Sequence, residues 1–122
     1  MTRKRGPASF TRSDRLHNSA EFRYLQRHGA RAEVGHFVLY AGRFPGDERS
    51  RLGVTVSRRI GGAVVRNRVK RRVREIYRIT LRAMLTPGNS LVVIARAGAG
   101  DLTSMSIAGE LKAGMSTIGQ PR

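Results

Sequence analysis

Residues 66–74 read Arg66-Asn67-Arg68-Val69-Lys70-Arg71-Arg72-Val73-Arg74. Six of these nine side chains are cationic, yet Val69 and Val73 interrupt them four residues apart, one helical turn. A disordered basic tail has no use for apolar residues at that interval. A helix docked on a core does, because its buried stripe recurs about every 3.6 residues. The spacing therefore predicts a rigid basic helix lying on something apolar.

The apolar arc extends in both directions. On a 100° wheel Val65, Val69, Val73, Ile76, Tyr77, Thr80 and Met84 share one third of the circumference, with Arg66 at its margin. The remaining cations fan over the rest, so a helix of about 64–84 is expected, entered after Gly61-Gly62 and ended by Pro87-Gly88. Upstream, Asn18 or Ser19 serves as an N-cap for a helix over 19–28, with Glu21 in its first turn, Phe22 and Leu25 as its apolar edge and Gly29 as the C′ residue. Residues 30–35 read as a connector. His36–Phe44 alternates Phe37, Leu39 and Ala41 with Val38 and Tyr40, a strand apolar on both faces. Pro45-Gly46-Asp47 turns the chain into a second strand at 51–58, with Leu52, Val54 and Val56 inward and Gly53, Thr55 and Ser57 opposite. Leu91–Arg96 has strand length, and Ser104 caps a last helix carrying Ile107, Leu111 and Met115, weakened by Gly109 and Gly114. The order is α-β-β-α-β-α, with two or three strands ahead of the long helix: an α+β sandwich in one domain.

Composition restricts the partner. Net charge is +16 over 122 residues, and arginine supplies 21 of the 24 cations. So much self-repulsion suits a domain whose usual partner is a polyanion, and guanidinium forks onto phosphate bidentately. Between residues 58 and 82 ten cations face one acid, Glu75. A merely solvated helix face explains that density poorly. Helix length near 30 Å suffices to track several phosphates. There is no cysteine, so disulfides, thiolate chemistry and zinc fingers are excluded. No apolar run approaches the roughly 20 residues that span a bilayer, and Met1–Ser9, a basic stretch with Gly6 and Pro7, lacks the apolar core of a secretory signal. The cytoplasm is the expected compartment.

Catalytic groups are hard to assemble. The acids Asp14, Glu21, Glu33, Asp47, Glu48, Glu75, Asp101 and Glu110 are scattered, and His17, His28 and His36 show no metal-ligand spacing. Neither a catalytic residue nor a metal ligand is assigned. Phe22, Phe37 and Tyr40 lie near arginines. Such rings are usually core; on an open sheet face beside cations they would stack bases, as in single-strand binders. Gly61-Gly62-Ala63-Val64 would bring a helix N-terminus near phosphate, or serve only as a flexible turn.

The whole run Arg51-Leu-Gly-Val-Thr-Val-Ser57-Arg-Arg-Ile-Gly61-Gly-Ala-Val-Val-Arg66-Asn67-Arg68-Val-Lys70-Arg71-Arg72-Val-Arg74-Glu75 closely resembles the signature of the bacterial ribonuclease P protein family. The resemblance extends to Glu21-Phe22, Gly29, Phe37–Tyr40 and Leu91–Arg96, and covers roughly residues 10–112. It implies a small two-layer αβββαβα sandwich like the second domain of ribosomal protein S5, with a left-handed βαβ crossover. It places the domain at 10–115, between a basic N-terminus (1–9) and a C-terminal tail (116–122).

The resemblance also implies a subunit of an endoribonuclease that removes the 5′ leader of precursor tRNA. The partners are then ribonuclease P RNA and precursor tRNA, with no membrane and no evident protein partner. The protein would bind no cofactor; magnesium would accompany the RNA, which performs the hydrolysis. Arg66, Asn67, Arg68, Lys70, Arg71, Arg72 and Arg74 match the motif facing the RNA subunit. Phe22, Phe37, Tyr40, Arg58 and Arg59 are the expected leader-cleft residues, bordered by Val38 and Thr55. Gln26 stands where the family often has a second aromatic, Arg58-Arg59 where it usually has two lysines, and Gly62 where it commonly has asparagine.

Overall fold

The computed structural model describes residues 14–16 and 18–118. The expected basic N-terminus, His17 and the end of the expected tail, 119–122, lie outside the described residues. Helix α1 (Ser19–His28) leads into strands β1 (Ala30–Val34), β2 (Phe37–Gly42) and β3 (Leu52–Val56). Helix α2 follows as Ala63–Ile76, widens through a π-helical turn at Tyr77–Leu81 and finishes at Arg82–Met84. Strand β4 (Ser90–Ala95) and helix α3 (Ser104–Ile118) complete the αβββαβα order.

The sheet order is β1-β2-β4-β3. β1 and β4 run antiparallel to β2, and β3 pairs parallel with β4, so α2 is the body of a βαβ crossover. The register sorts the side chains by parity. Phe37, Leu39, Ala41, Leu52, Val56, Leu91, Val93 and Ala95 enter the main core with Val69, Val73, Tyr77 and Leu81 of α2 and Ile107, Leu111 and Met115 of α3. On the other face Val92 packs with Leu16 and with Leu25 of α1, joined by Phe22, Tyr24, Tyr40, Phe44 and Ile94. A two-layer body thus carries one short helix over part of its second face.

β1 occupies the stretch expected to be a connector. Its alternation was too faint to read, because among its five residues only Ala32 is buried. Pairing with β2, Ala32 opposite Leu39, makes it a strand. Gly29 ends α1 as expected, with an extended backbone and not the left-handed one common at a helix C-terminus. It is glycine because a Cβ would lie 2.7 Å from the Leu25 carbonyl oxygen and 2.8 Å from that of Ala41. The caps are otherwise regular: Asn18 Oδ1 accepts from the Glu21 N–H at 3.0 Å. At α3 the cap is Thr103 and not Ser104, its hydroxyl accepting from the Ser106 N–H at 3.1 Å. α3 runs three residues past the boundary expected at Met115, and Ile118 packs against the core.

The buried face of α2 departs from the wheel beyond Ile76. Thr80 and Met84 were expected inward; Leu81 and Leu85 are buried instead, and Met84 is 41% exposed. The cause is the π turn, in which the Arg82 N–H donates to the Tyr77 carbonyl five residues back. The wider turn rotates the later residues, so the seam becomes Val69, Val73, Tyr77, Leu81, Leu85. Leu81→Ala is expected to cost about 2–5 kcal/mol by equilibrium denaturation, a buried leucine leaving a cavity. Met84→Ala should cost less than about 0.5 kcal/mol as an exposed change. A straight helix would reverse that order.

Candidate nucleic-acid interface

Because the seam faces the sheet, α2 turns its cations outward in two directions. Arg68 Nη2 donates to the Gly100 carbonyl at 3.1 Å and Arg72 Nη1 to that of Leu102 at 3.0 Å. One turn apart, these two arginines tie α2 to the segment leading into α3, so part of their donor capacity serves the fold. Asn67, Arg71, Arg74 and Arg78 turn the other way and, with Arg15 and Glu75, line an open groove of about 470 Å³. Glu75 accepts from Arg78 Nε at 3.3 Å, and that hydrogen bond holds its carboxyl below the usual range. Burial, and then the Arg15 cation, push the Arg74 guanidinium down from its usual value. Two like charges held this close raise the field in the groove and favour an anion between them. Arg66 and Lys70 sit half-buried at the margins of the seam, and the buried Arg66 Nε has no hydrogen-bond partner among the described residues.

Arg15 was not singled out from the sequence. It precedes α1 by four residues, and a β-bridge to Leu52 on the free edge of β3 brings it beside α2. No local pattern encodes that approach.

The second candidate surface is the sheet face that α1 leaves uncovered. β2 contributes Val38 and Tyr40 and β4 contributes Ile94, while β3 contributes Thr55, which is paired with Ile94 and exposed. Phe22 reaches it from α1, its ring so close to β3 that a Cβ on Gly53 would stand 2.5 Å from Phe22 Cζ. Arg31 Nε donates to Tyr40 Oη at 3.1 Å, which holds the guanidinium above its usual value, and Arg31 Cζ lies 5.9 Å from the ring centroid. An apolar floor, two half-buried rings and a cation at the rim form a place for unstacked bases. Arg58 and Arg59 are exposed in the helical turn that follows β3.

Phe37 does not belong to this surface. Strand parity turns it to the other face, where it is fully buried beneath the helices. Its neighbours Val38 and Tyr40 take the cleft positions.

α1 is held over the sheet by Arg51, only 7% exposed. Its Nη1 meets Glu21 Oε2 at 2.9 Å, its Nη2 meets Asp47 Oδ2 at 3.0 Å, and its Cζ stands 5.2 Å from the Phe44 ring centroid. Its own N–H donates to Ser90 Oγ at 3.0 Å. Asp47 also accepts from Arg49, whose hydrogen bonds hold that carboxyl below the usual range. Among the described residues no three of His, Cys, Asp and Glu gather to hold a metal ion, and no helix is long and apolar enough to cross a membrane.

The Ribonuclease P family model matches residues 10–119. The chain belongs to the ribonuclease P protein family. The ribonuclease P protein component of Clostridioides difficile is 34% identical over 103 residues, 84% of this chain and 90% of that one. That of Syntrophobacter fumaroxidans is 35% identical over 111 residues, 89% and 91% of the two chains. The structure of the Staphylococcus aureus RNase P protein superposes with a TM-score of 0.75 at 29% identity, covering 85% of this chain and 94% of that one. The Thermotoga maritima RNase P protein gives 0.71 at 27% identity, covering 88% and 97%. The protein is therefore a subunit of ribonuclease P, an endoribonuclease whose catalysis lies with its RNA partner.

The division of labour on α2 makes a prediction. Lys70→Ala and Arg71→Ala should each weaken binding to ribonuclease P RNA by about 1–2 kcal/mol while leaving the melting temperature unchanged. Arg68→Ala should lower both, since the Gly100 carbonyl loses its donor. Filter binding at several salt concentrations, beside thermal melts, separates the two classes.

Proposed function

We propose that the chain docks on the catalytic RNA through the outer cations of α2 and holds the single-stranded 5′ leader of precursor tRNA on the sheet face beside α1. One observation carries this reading: cations that have no hydrogen-bond or ion-pair partner among the described residues collect on α2, while the open sheet face is apolar and aromatic. A phosphate-rich folded RNA suits the first surface, and unstacked bases suit the second. Arg66, Asn67, Lys70, Arg71 and Arg74 make the RNA contacts, with Arg68 and Arg72 adding what their ties to α3 leave over. Phe22 and Tyr40 stack bases over Val38, Ile94 and Thr55, and Arg58 and Arg59 attract the strand at the end of β3.

Phosphodiester hydrolysis then belongs to the RNA and its magnesium ions. The protein lengthens the substrate footprint into the leader, so precursor binds better than mature tRNA. Gln26, one turn after Phe22, offers an amide where relatives often stack a ring, so this chain grips the leader with two aromatics. A reaction on precursor tRNA places the protein in the cytoplasm.

The test is cleavage of precursor tRNA by protein alone, RNA alone and both together at low magnesium. Protein alone should not cut, and the mixture should outpace RNA alone; specific cutting by the protein, or no gain on adding it, sinks the reading. Within the mixture, Tyr40→Ala should lower precursor affinity by about 1–3 kcal/mol with RNA assembly intact, the range for a lost base stack. Phe37→Ala should instead destabilise the fold by about 3–5 kcal/mol.

A further inference from the structure

Most arginines flanking the second sheet face are engaged: Arg31 by Tyr40 and Glu33, Arg43 by the Pro87 carbonyl, Arg49 by Asp47, and Arg51 by Glu21 and Asp47. Arg23 and Arg27 of α1 are not. Both are exposed, and among the described residues neither makes an ion pair or a hydrogen bond. They stand one turn apart, about 6 Å along the axis. With Ala20, Tyr24 and His28 they line a shallow hollow of about 180 Å³. The Tyr24 ring centroid lies 4.6 Å from that of His28 and 5.4 Å from that of Phe44, so the ring is braced by two aromatic neighbours.

The helical wheel sets these groups in order across α1. Phe22 and Gln26 flank the cleft, Arg23 and Arg27 occupy the crest, and Tyr24 and His28 lie on the far flank. A strand leaving the cleft on this side meets two unpaired cations and then a braced aromatic pair, with no acid in the hollow. The helix dipole accounts for Arg27 and His28 in the last turn, but not for Arg23 in the middle of the helix.

We infer that the outer face of α1 is a second contact for single-stranded RNA, occupied by leader nucleotides upstream of those in the cleft, with Arg23 and Arg27 on phosphates and Tyr24–His28 as a stacking platform. This rests on the leader reading above and extends it. The surface differs from both the α2 groove and the cleft, and it contributes to affinity only when the leader is long enough to pass over α1.

The experiment measures precursor-tRNA affinity of the assembled ribonucleoprotein over stepwise-lengthened leaders, for the wild type, for Arg23→Gln with Arg27→Gln, and for His28→Ala. These exposed substitutions leave the core untouched, and RNA-subunit binding is measured in parallel. Wild-type affinity should rise in two stages as the leader lengthens. The double variant should keep the first stage and lose about tenfold from the second, two exposed charge contacts being worth roughly half a decade each. His28→Ala should lose part of the same stage. Loss at every leader length, or weakened RNA-subunit binding, would assign the arginines to the catalytic RNA and overturn the proposal. No loss at any length would leave a solvated helix face and overturn it too. Absence of even the first stage in the wild type would instead refute the leader reading itself.

Discussion

Burial of one narrow apolar seam is what allows α2 to exist. Ten cations against one acid between residues 58 and 82 repel one another, and the single acid, Glu75, pairs with only one of them, Arg78. What offsets the repulsion is Val69, Val73, Tyr77, Leu81 and Leu85 pressed against the sheet and α3, each less than a tenth exposed. A few such side chains are worth on the order of 1.5–3 kcal/mol apiece. The seam also decides direction: with the apolar side fixed downward, every remaining position must face outward or sideways, and those positions are the arginines. Anchoring and presentation are one event.

The second face depends on a different interaction. Arg51 is a cation that the fold consumes, buried between Glu21 of α1 and Asp47 of the preceding turn. Removing either acid would leave a buried charge short of a partner, the costly outcome for such a site. Its effect is to pin α1 where it covers Val92 but leaves Tyr40, Ile94 and Thr55 partly open at one side. Gly53 completes the arrangement by letting Phe22 lie against β3. The cleft is thus a consequence of how far one short helix is allowed to cover a sheet.

Cations therefore fall into two populations in this protein. Arg51, Arg68 and Arg72 hold elements together, whereas Arg71, Lys70, Arg58 and Arg59 make no such bonds among the described residues. The first group sets the geometry in which the second meets RNA. A net charge of +16 conceals this division, since side chains of one type perform both tasks.

Much of this was legible beforehand. Val69 and Val73 predict a docked helix, alternation in 37–41 predicts a strand, the cations at 66–74 predict a polyanionic partner, and the family resemblance of residues 51–75 implies that it is RNA. Periodicity and charge are local properties, so the chain carries them in any conformation. What the chain could not announce depends on distant pairing. Ala30–Val34 becomes a strand only because β2 supplies its hydrogen bonds. Phe37 and Tyr40 are both aromatic residues of one strand, and only packing against two different helical layers makes one core and the other cleft. Arg15 joins the groove through the edge of β3, and Leu81 replaces Met84 because the helix widens into a π turn at Tyr77–Leu81. The sequence by itself determined the helices, most of the strands and a nucleic-acid partner, because periods and charges need no neighbours, and the family resemblance of residues 51–75 narrowed that partner to RNA. The tertiary structure alone decided which arginines are spent on the fold and which rings stay open, because that depends on what each side chain meets across the sheet.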